Sequence, residues 1–163
     1  MNTSFKLKNF RIFDNVGASL EDIAPITFLT GSNSSGKSSA VKGIFLLESF
    51  LAQIKKAVED KKSINLAEFK LDFSSFPNNT LGRFGKVLNR DSKPQNNLIT
   101  FEYTKRSSYL SKDINVVLSF SGNEHDDLDN GYLHSLEMYI DDELFYRCSR
   151  DDNHRICNLN IIK

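Results

Sequence analysis

The chain has 163 residues, enough for one ordinary domain or one lobe of a larger one. Lys plus Arg equals Asp plus Glu at 21 each, so no overall field advertises nucleic acid, although a local basic patch remains compatible with it. Cys148 and Cys157 alone cannot form the disulfide framework of a small secreted fold, and no apolar stretch has the length of a membrane span. The opening Met1-Asn2-Thr3-Ser4-Phe5-Lys6 lacks the apolar core of a signal peptide, which makes the cytoplasm the expected compartment.

Phe5 to Phe13 alternates apolar and polar residues, the period of a half-buried strand. The following stretch, Asp14 to Pro25, contains Gly17 and reads as a turn leading into a second strand, the apolar run Ile26-Thr27-Phe28-Leu29. Directly after it comes Gly31-Ser32-Asn33-Ser34-Ser35-Gly36-Lys37-Ser38, a G-x-x-x-x-G-K-S phosphate-binding loop. Its two glycines let the backbone wrap an anion so that N–H groups point inward, and the helix that follows adds the positive end of its dipole. Lys37 is then the counter-charge to the β- and γ-phosphates, Ser38 a Mg²⁺ ligand, and Ser39 a further hydroxyl near the α-phosphate. These residues predict binding of ATP with Mg²⁺.

From Lys37 to about Val58 apolar residues recur at helical spacing. Gly43 inside that helix costs about 1 kcal/mol relative to Ala, so it implies a close packing contact. The Lys and acidic run around Lys55 to Lys62 reads as a solvated helix end. Residues 63–97 are turn-rich, with Phe69, Leu71, Phe73 and Phe76 available for burial. Beyond them five strand-like runs follow: Leu98–Tyr103, Ile114–Phe120, Tyr132–Ile140, Leu144–Cys148 and Arg155–Ile162. They are separated by polar turns such as Asp129-Asn130-Gly131 and Asp141-Asp142-Glu143, the pattern of an antiparallel meander. The expected organisation is a P-loop strand–helix unit at 1–62, an irregular connection at 63–97 and an antiparallel β-subdomain at 98–163. The expected fold class is α/β: the N-terminal lobe of a P-loop NTPase, strand–P-loop–helix, followed by that subdomain.

Cys148, His154 and Cys157 offer three potential metal ligands if their strands pair, but no fourth ligand stands at recognisable spacing, and small buried or half-buried side chains are the better reading. His125 and His134 are isolated.

Leu7-Lys8-Asn9-Phe10-Arg11, Pro25 to Gly31 and Asn33 to Ser39 together resemble the N-terminal segment of ABC-type ATPases of the SMC, RecF and OLD group, also described as bacterial AAA-family ATPases; Leu81-Gly82-Arg83-Phe84 resembles a short turn of the bacterial branch. The resemblance implies an ATP-binding lobe whose hydrolysis needs a Walker B aspartate, an adjacent glutamate and a signature motif from a second head in a head-to-tail homodimer. It implies DNA or an effector protein as a partner, no membrane, and a role in DNA metabolism or anti-phage defence. It makes Gln95 a candidate sensor of the γ-phosphate, and Lys8 and Arg11 candidates for approaching nucleotide or DNA. Ser119 to Glu124 loosely resembles the signature and Met138 to Glu143 loosely resembles Walker B. Both fit exposed hairpins better, because Ser135, Glu137 and Tyr139 alternate with Leu136, Met138 and Ile140. On this reading the chain alone binds ATP without appreciable turnover. The competing readings are a small P-loop kinase and a nucleotide-binding module that never hydrolyses.

Overall fold

The structure, a computed structural model, describes residues 3–60, 68–73, 81–91, 97–122, 130–150 and 156–161. Strand β1, Thr3–Lys8, buries Phe5 and Leu7 on one face and carries Lys6 and Lys8 on the other. It pairs on one edge with β2, Ala18–Leu20, and on the other with β4, Ile99–Arg106. Hairpins then continue the sheet through β5, Asp113–Ser121, β6, Gly131–Ile140, β7, Glu143–Arg150, and β8, Ile156–Ile161. A two-residue strand β3, Lys70–Leu71, pairs with the start of β6. The eight strands among the described residues form a single sheet of order β2-β1-β4-β5-β6-β7-β8, with β3 off that path, and every pairing between them is antiparallel.

Register aligns the apolar residues in rows across the strands. One row is Leu7, Phe101, Leu118, Leu136 and Cys148; the next toward the β4–β5 turn is Phe5, Tyr103, Val116, Met138 and Tyr146; the last is Lys105, Ile114, Ile140 and Glu143. Helix α1, Lys37–Glu59, crosses the strands over the first of these rows and beyond it. Its Leu46, Leu47 and Phe50 are buried, and Phe50 meets Phe120 edge-on at 4.8 Å. Gly43 explains the close approach: a Cβ there would lie 2.3 Å from Leu7 Cδ2. The far part of the helix is tied to β3 by Gln53 Nε2, which donates to the Lys70 carbonyl at 3.0 Å. A single turn of helix, α2, Phe84–Val87, closes the core with Phe84 fully buried beside Gly131.

The α/β P-loop lobe expected from the sequence is not what forms. One antiparallel sheet replaces the strand–loop–helix core, and Ile26 to Leu29, expected as a buried strand, is irregular, with Ile26 76 % and Phe28 85 % exposed. A run that short becomes a buried strand only when neighbouring strands hydrogen-bond its edges and another layer covers it; among the described residues no strand lies beside it. The expected first strand, Phe5 to Phe13, also stops early, at Lys8. Asn9 and Arg11 adopt φ of 55° and 56°, which turns the chain out of the sheet. The turn is held by the Asn9 N–H donating to the Asp14 carbonyl at 2.7 Å and the Arg11 N–H donating to the Val87 carbonyl at 2.5 Å.

Candidate functional site

The Gly31–Ser38 octet is an exposed loop that ends in α1, and Lys37 is the first helical residue. Gly31 at φ 144°, Ser34 at 67° and Gly36 at 92° give the loop its sharp reversals. At Gly36 the need for glycine is double. Its φ is left-handed, and a Cβ would fall 2.6 Å from the Phe13 ring and 2.8 Å from Ile12 Cδ1. The loop therefore rests on the turn that ends β1. That turn is clasped by two buried asparagines: Asn9 Nδ2 donates to the Leu98 carbonyl at 3.0 Å, and Asn89 Nδ2 donates to the Arg11 carbonyl at 2.7 Å. These supporting residues escape a motif-based reading. The available signal is Asn9 itself, since asparagine tolerates the left-handed region that ends a strand.

Lys37 folds back into the loop. Its Nζ donates to the Gly31 carbonyl at 2.7 Å, the Ser32 carbonyl at 2.5 Å and Ser35 Oγ at 3.2 Å, which uses all three donors of an ammonium. A phosphate reaching this lysine must exchange with at least one of those oxygens. Ser38 is exposed at the helix start, whereas Ser39 is buried on the helix face shared with Gly43. The amino end of α1 has no side-chain cap and no acidic residue in its first turn, so no carboxylate of its own first turn offsets its leading N–H groups and dipole. Beside the loop lies a cavity of about 520 Å³. Phe13, Leu20 and Phe28 give it apolar walls, Lys37 and Ser35 a polar lip, and among the described residues no carboxylate lines it.

ATP with Mg²⁺ fits this donor set in part. Backbone N–H groups, Lys37 and the Ser38 hydroxyl are grouped at one helix end, where Ser38 would be the one side chain to hold the cation.

The other sequence candidates lie elsewhere. Lys8 forms an ion pair with Glu102 on the sheet face opposite α1. Arg11 sits in the clasped turn. Asp141 and Asp142, both at positive φ, form the two-residue turn between β6 and β7, a type I′ geometry. Asp141 accepts the Asp113 N–H at 3.0 Å and an ion pair from Lys112 at 3.3 Å; those two contacts, the backbone bond first, hold its carboxyl below the usual range. Ser119 to Ser121 are strand residues at the end of β5. Cys148 is a buried free thiol, and no group of three metal-ligating side chains occurs among the described residues. His134 is half-buried, and burial followed by the charge of Arg150 lowers its pKa. Gln95, His125 and His154 lie outside the described residues, as does the side chain of Cys157. Among the described residues no helix is long and apolar enough to cross a membrane.

Comparison with protein-family models, curated proteins and solved structures returned no match.

Proposed function

We propose that this chain is a cytoplasmic nucleotide-binding protein that takes Mg-ATP at Gly31 to Ser39, in the manner of the SMC, RecF and OLD ATPases that its loop resembles. The observation that carries the reading is the joint between loop and helix: a G-x-x-x-x-G-K-S octet whose lysine opens a 23-residue helix with an uncapped amino end. Gly31, Ser32, Asn33, Ser34, Ser35 and Gly36 contribute backbone N–H groups to the phosphates, Lys37 the counter-charge, and Ser38 the ligand to Mg²⁺. The apolar walls of the adjoining cavity, Phe13 and Phe28, suit the nucleobase. Binding without turnover is favoured for the chain by itself, because the described residues around the cavity offer apolar walls, hydroxyls and one lysine but no carboxylate to orient water or hold a second metal bond. In the family that the loop resembles, hydrolysis draws on a Walker B pair and a signature motif across a head-to-tail homodimer, with DNA or an effector protein as the partner served.

The test is titration of a fluorescent ATP analogue with and without Mg²⁺. Lys37→Ala should lower affinity by roughly tenfold or more while far-UV circular dichroism stays unchanged, and Ser38→Ala should mainly flatten the Mg²⁺ dependence. Equal affinity in wild type and Lys37→Ala would defeat the reading.

A further inference from the structure

Helix α1 covers only part of its sheet face. The two rows nearest the β4–β5 turn lie beside the helix, and their apolar members Tyr103, Val116, Met138, Tyr146, Ile114 and Ile140 are all left half-buried. The flank of α1 above them is apolar as well. Ile44, Leu51 and Val58 recur every seven residues and so share one stripe, and Leu51 and Val58 are 47 % and 55 % exposed. Gln53, about 200° around the helix from Leu51, bonds to β3 at the Gly131 end of β6. The Ile44–Leu51–Val58 stripe therefore looks toward the Ile140 end. Floor and wall make a trough that runs across four strands, with a hollow of about 340 Å³ among Tyr103, Ile114 and Val116.

The ends of the trough are charged with opposite sign. Lys105 closes it on β4 and Glu143 on β7, and among the described residues neither side chain has an ion-pair or hydrogen-bond partner, although nearby Arg106 pairs with Asp113 and Lys112 with Asp141. Lys105 and Glu143 thus stand as uncommitted charges in the last row of the floor, one at each end of the trough. A second sheet is the wrong shape for this space, since it would pack about 10 Å above the floor, in the layer α1 already fills. A helix about 10 Å across fits that layer side by side with α1. Nucleic acid would meet Glu143.

We propose that the trough docks an amphipathic helix from another protein, laid across the strands beside α1 with its amino end at Glu143 and its carboxyl end at Lys105. The partial positive charge of the amino end then faces a carboxylate, and the partial negative charge of the other end faces an ammonium. Three strand spacings, about 14 Å, accommodate roughly ten helical residues, with an apolar i, i+3, i+4, i+7 stripe on the floor. A basic side chain in the first turn and an acidic one in the last complete the match.

The probe is a designed amphipathic helical peptide about fourteen residues long, fluorescein-labelled, with arginine in its first turn and glutamate in its last; anisotropy is read against a version with the two charges exchanged. Wild type should bind the first peptide in the micromolar range and the exchanged one several-fold more weakly. Leu51→Asp, an exposed helix position that leaves the fold intact by circular dichroism, should weaken binding about tenfold. The double variant Lys105→Glu with Glu143→Lys should reverse the peptide preference. No saturable binding to wild type, an unaffected Leu51→Asp, or a preference that does not reverse would each overturn the proposal. So would sedimentation showing that the trough is closed by a second copy of the chain.

Discussion

Replacing Gly43 by alanine sets two effects of opposite sign against each other. Alanine in a helix interior is favoured over glycine by about 1 kcal/mol, and on propensity alone the variant should be more stable. The added Cβ, however, would sit 2.3 Å from Leu7 Cδ2, and Leu7 is 1 % exposed. Leu7 lies in one row with the buried Phe101 and Leu118, which hold its side chain on the sheet side even though it borders the cavity beside the loop. Either it leaves its rotamer or α1 lifts from the sheet, and overpacking of this kind costs about 1–3 kcal/mol. With the helix already anchored at Phe50 on Phe120, the upper part of that range is expected. The net effect is a loss of about 1–2 kcal/mol, a fall in Tm of roughly 3–6 °C for a chain of this length. Urea unfolding followed by circular dichroism reads it as a lower midpoint at constant slope. Leu7→Ala costs about 2–5 kcal/mol by itself; in that background Gly43→Ala should become neutral or stabilising, a coupling a double-mutant cycle detects. A Gly43→Ala variant at or above wild-type stability would refute the packing account.

Gly36→Ala should weaken nucleotide binding and cost about 1–3 kcal/mol, because both its left-handed φ and the Phe13 ring exclude a methyl group; retained affinity in calorimetry would argue against a fixed loop. Glu143→Gln should change neither nucleotide affinity nor phosphate release, since it follows an exposed type I′ turn; a Lys37-dependent turnover lost in this variant would reverse that assignment. His134 has a lowered folded pKa, so the unfolded chain binds its proton first as pH falls. The contribution of neutral His134 is complete above the ordinary imidazole value of 6.5 and declines as pH drops below it toward the folded pKa. His134→Leu should flatten the stability profile between about pH 7 and pH 5, read as urea midpoints, and an unchanged slope would remove His134 as its source.

What the sequence shows of this fold divides by the range of the forces involved. The 23-residue helix α1 is legible from its spacing, because a long amphipathic helix carries its own hydrogen bonds. Strands β4 to β7 are legible from alternation and from polar turns, since hairpin neighbours supply each other's ladder. The early end of β1 is less visible: alternation continues through Phe13, and only the clasp of Asn9 and Asn89 against Leu98 and Arg11, some eighty to ninety residues apart in the chain, decides that it stops at Lys8. In the candidate site the loop residues are legible because each is required by local geometry. Phe13 beneath Gly36 and the inward turn of Lys37 are not, for they depend on where β1 ends.

Ile26 to Leu29 shows the same division from the other side. Its composition suits a buried strand as well as that of β4, but Ile99 to Arg106 finds β1 on one edge and β5 on the other, whereas no described strand offers an edge to Ile26. An apolar run does not become a strand on propensity, because its backbone groups gain nothing over water until a neighbour takes them. The loop that follows is built differently. Its geometry rests on two glycines, the Phe13 contact and three lysine hydrogen bonds within eight residues, none of which requires the strand before it. Capture of the phosphates therefore stands or falls on Gly31 to Ser38 and the amino end of α1, while Ile26 to Leu29 bears only on the nucleobase. Substituting Phe28, 85 % exposed, by serine separates the two: it removes an apolar wall of the cavity without touching the loop. It should weaken ATP more than inorganic triphosphate, and equal loss for both would mean that the segment governs the loop after all.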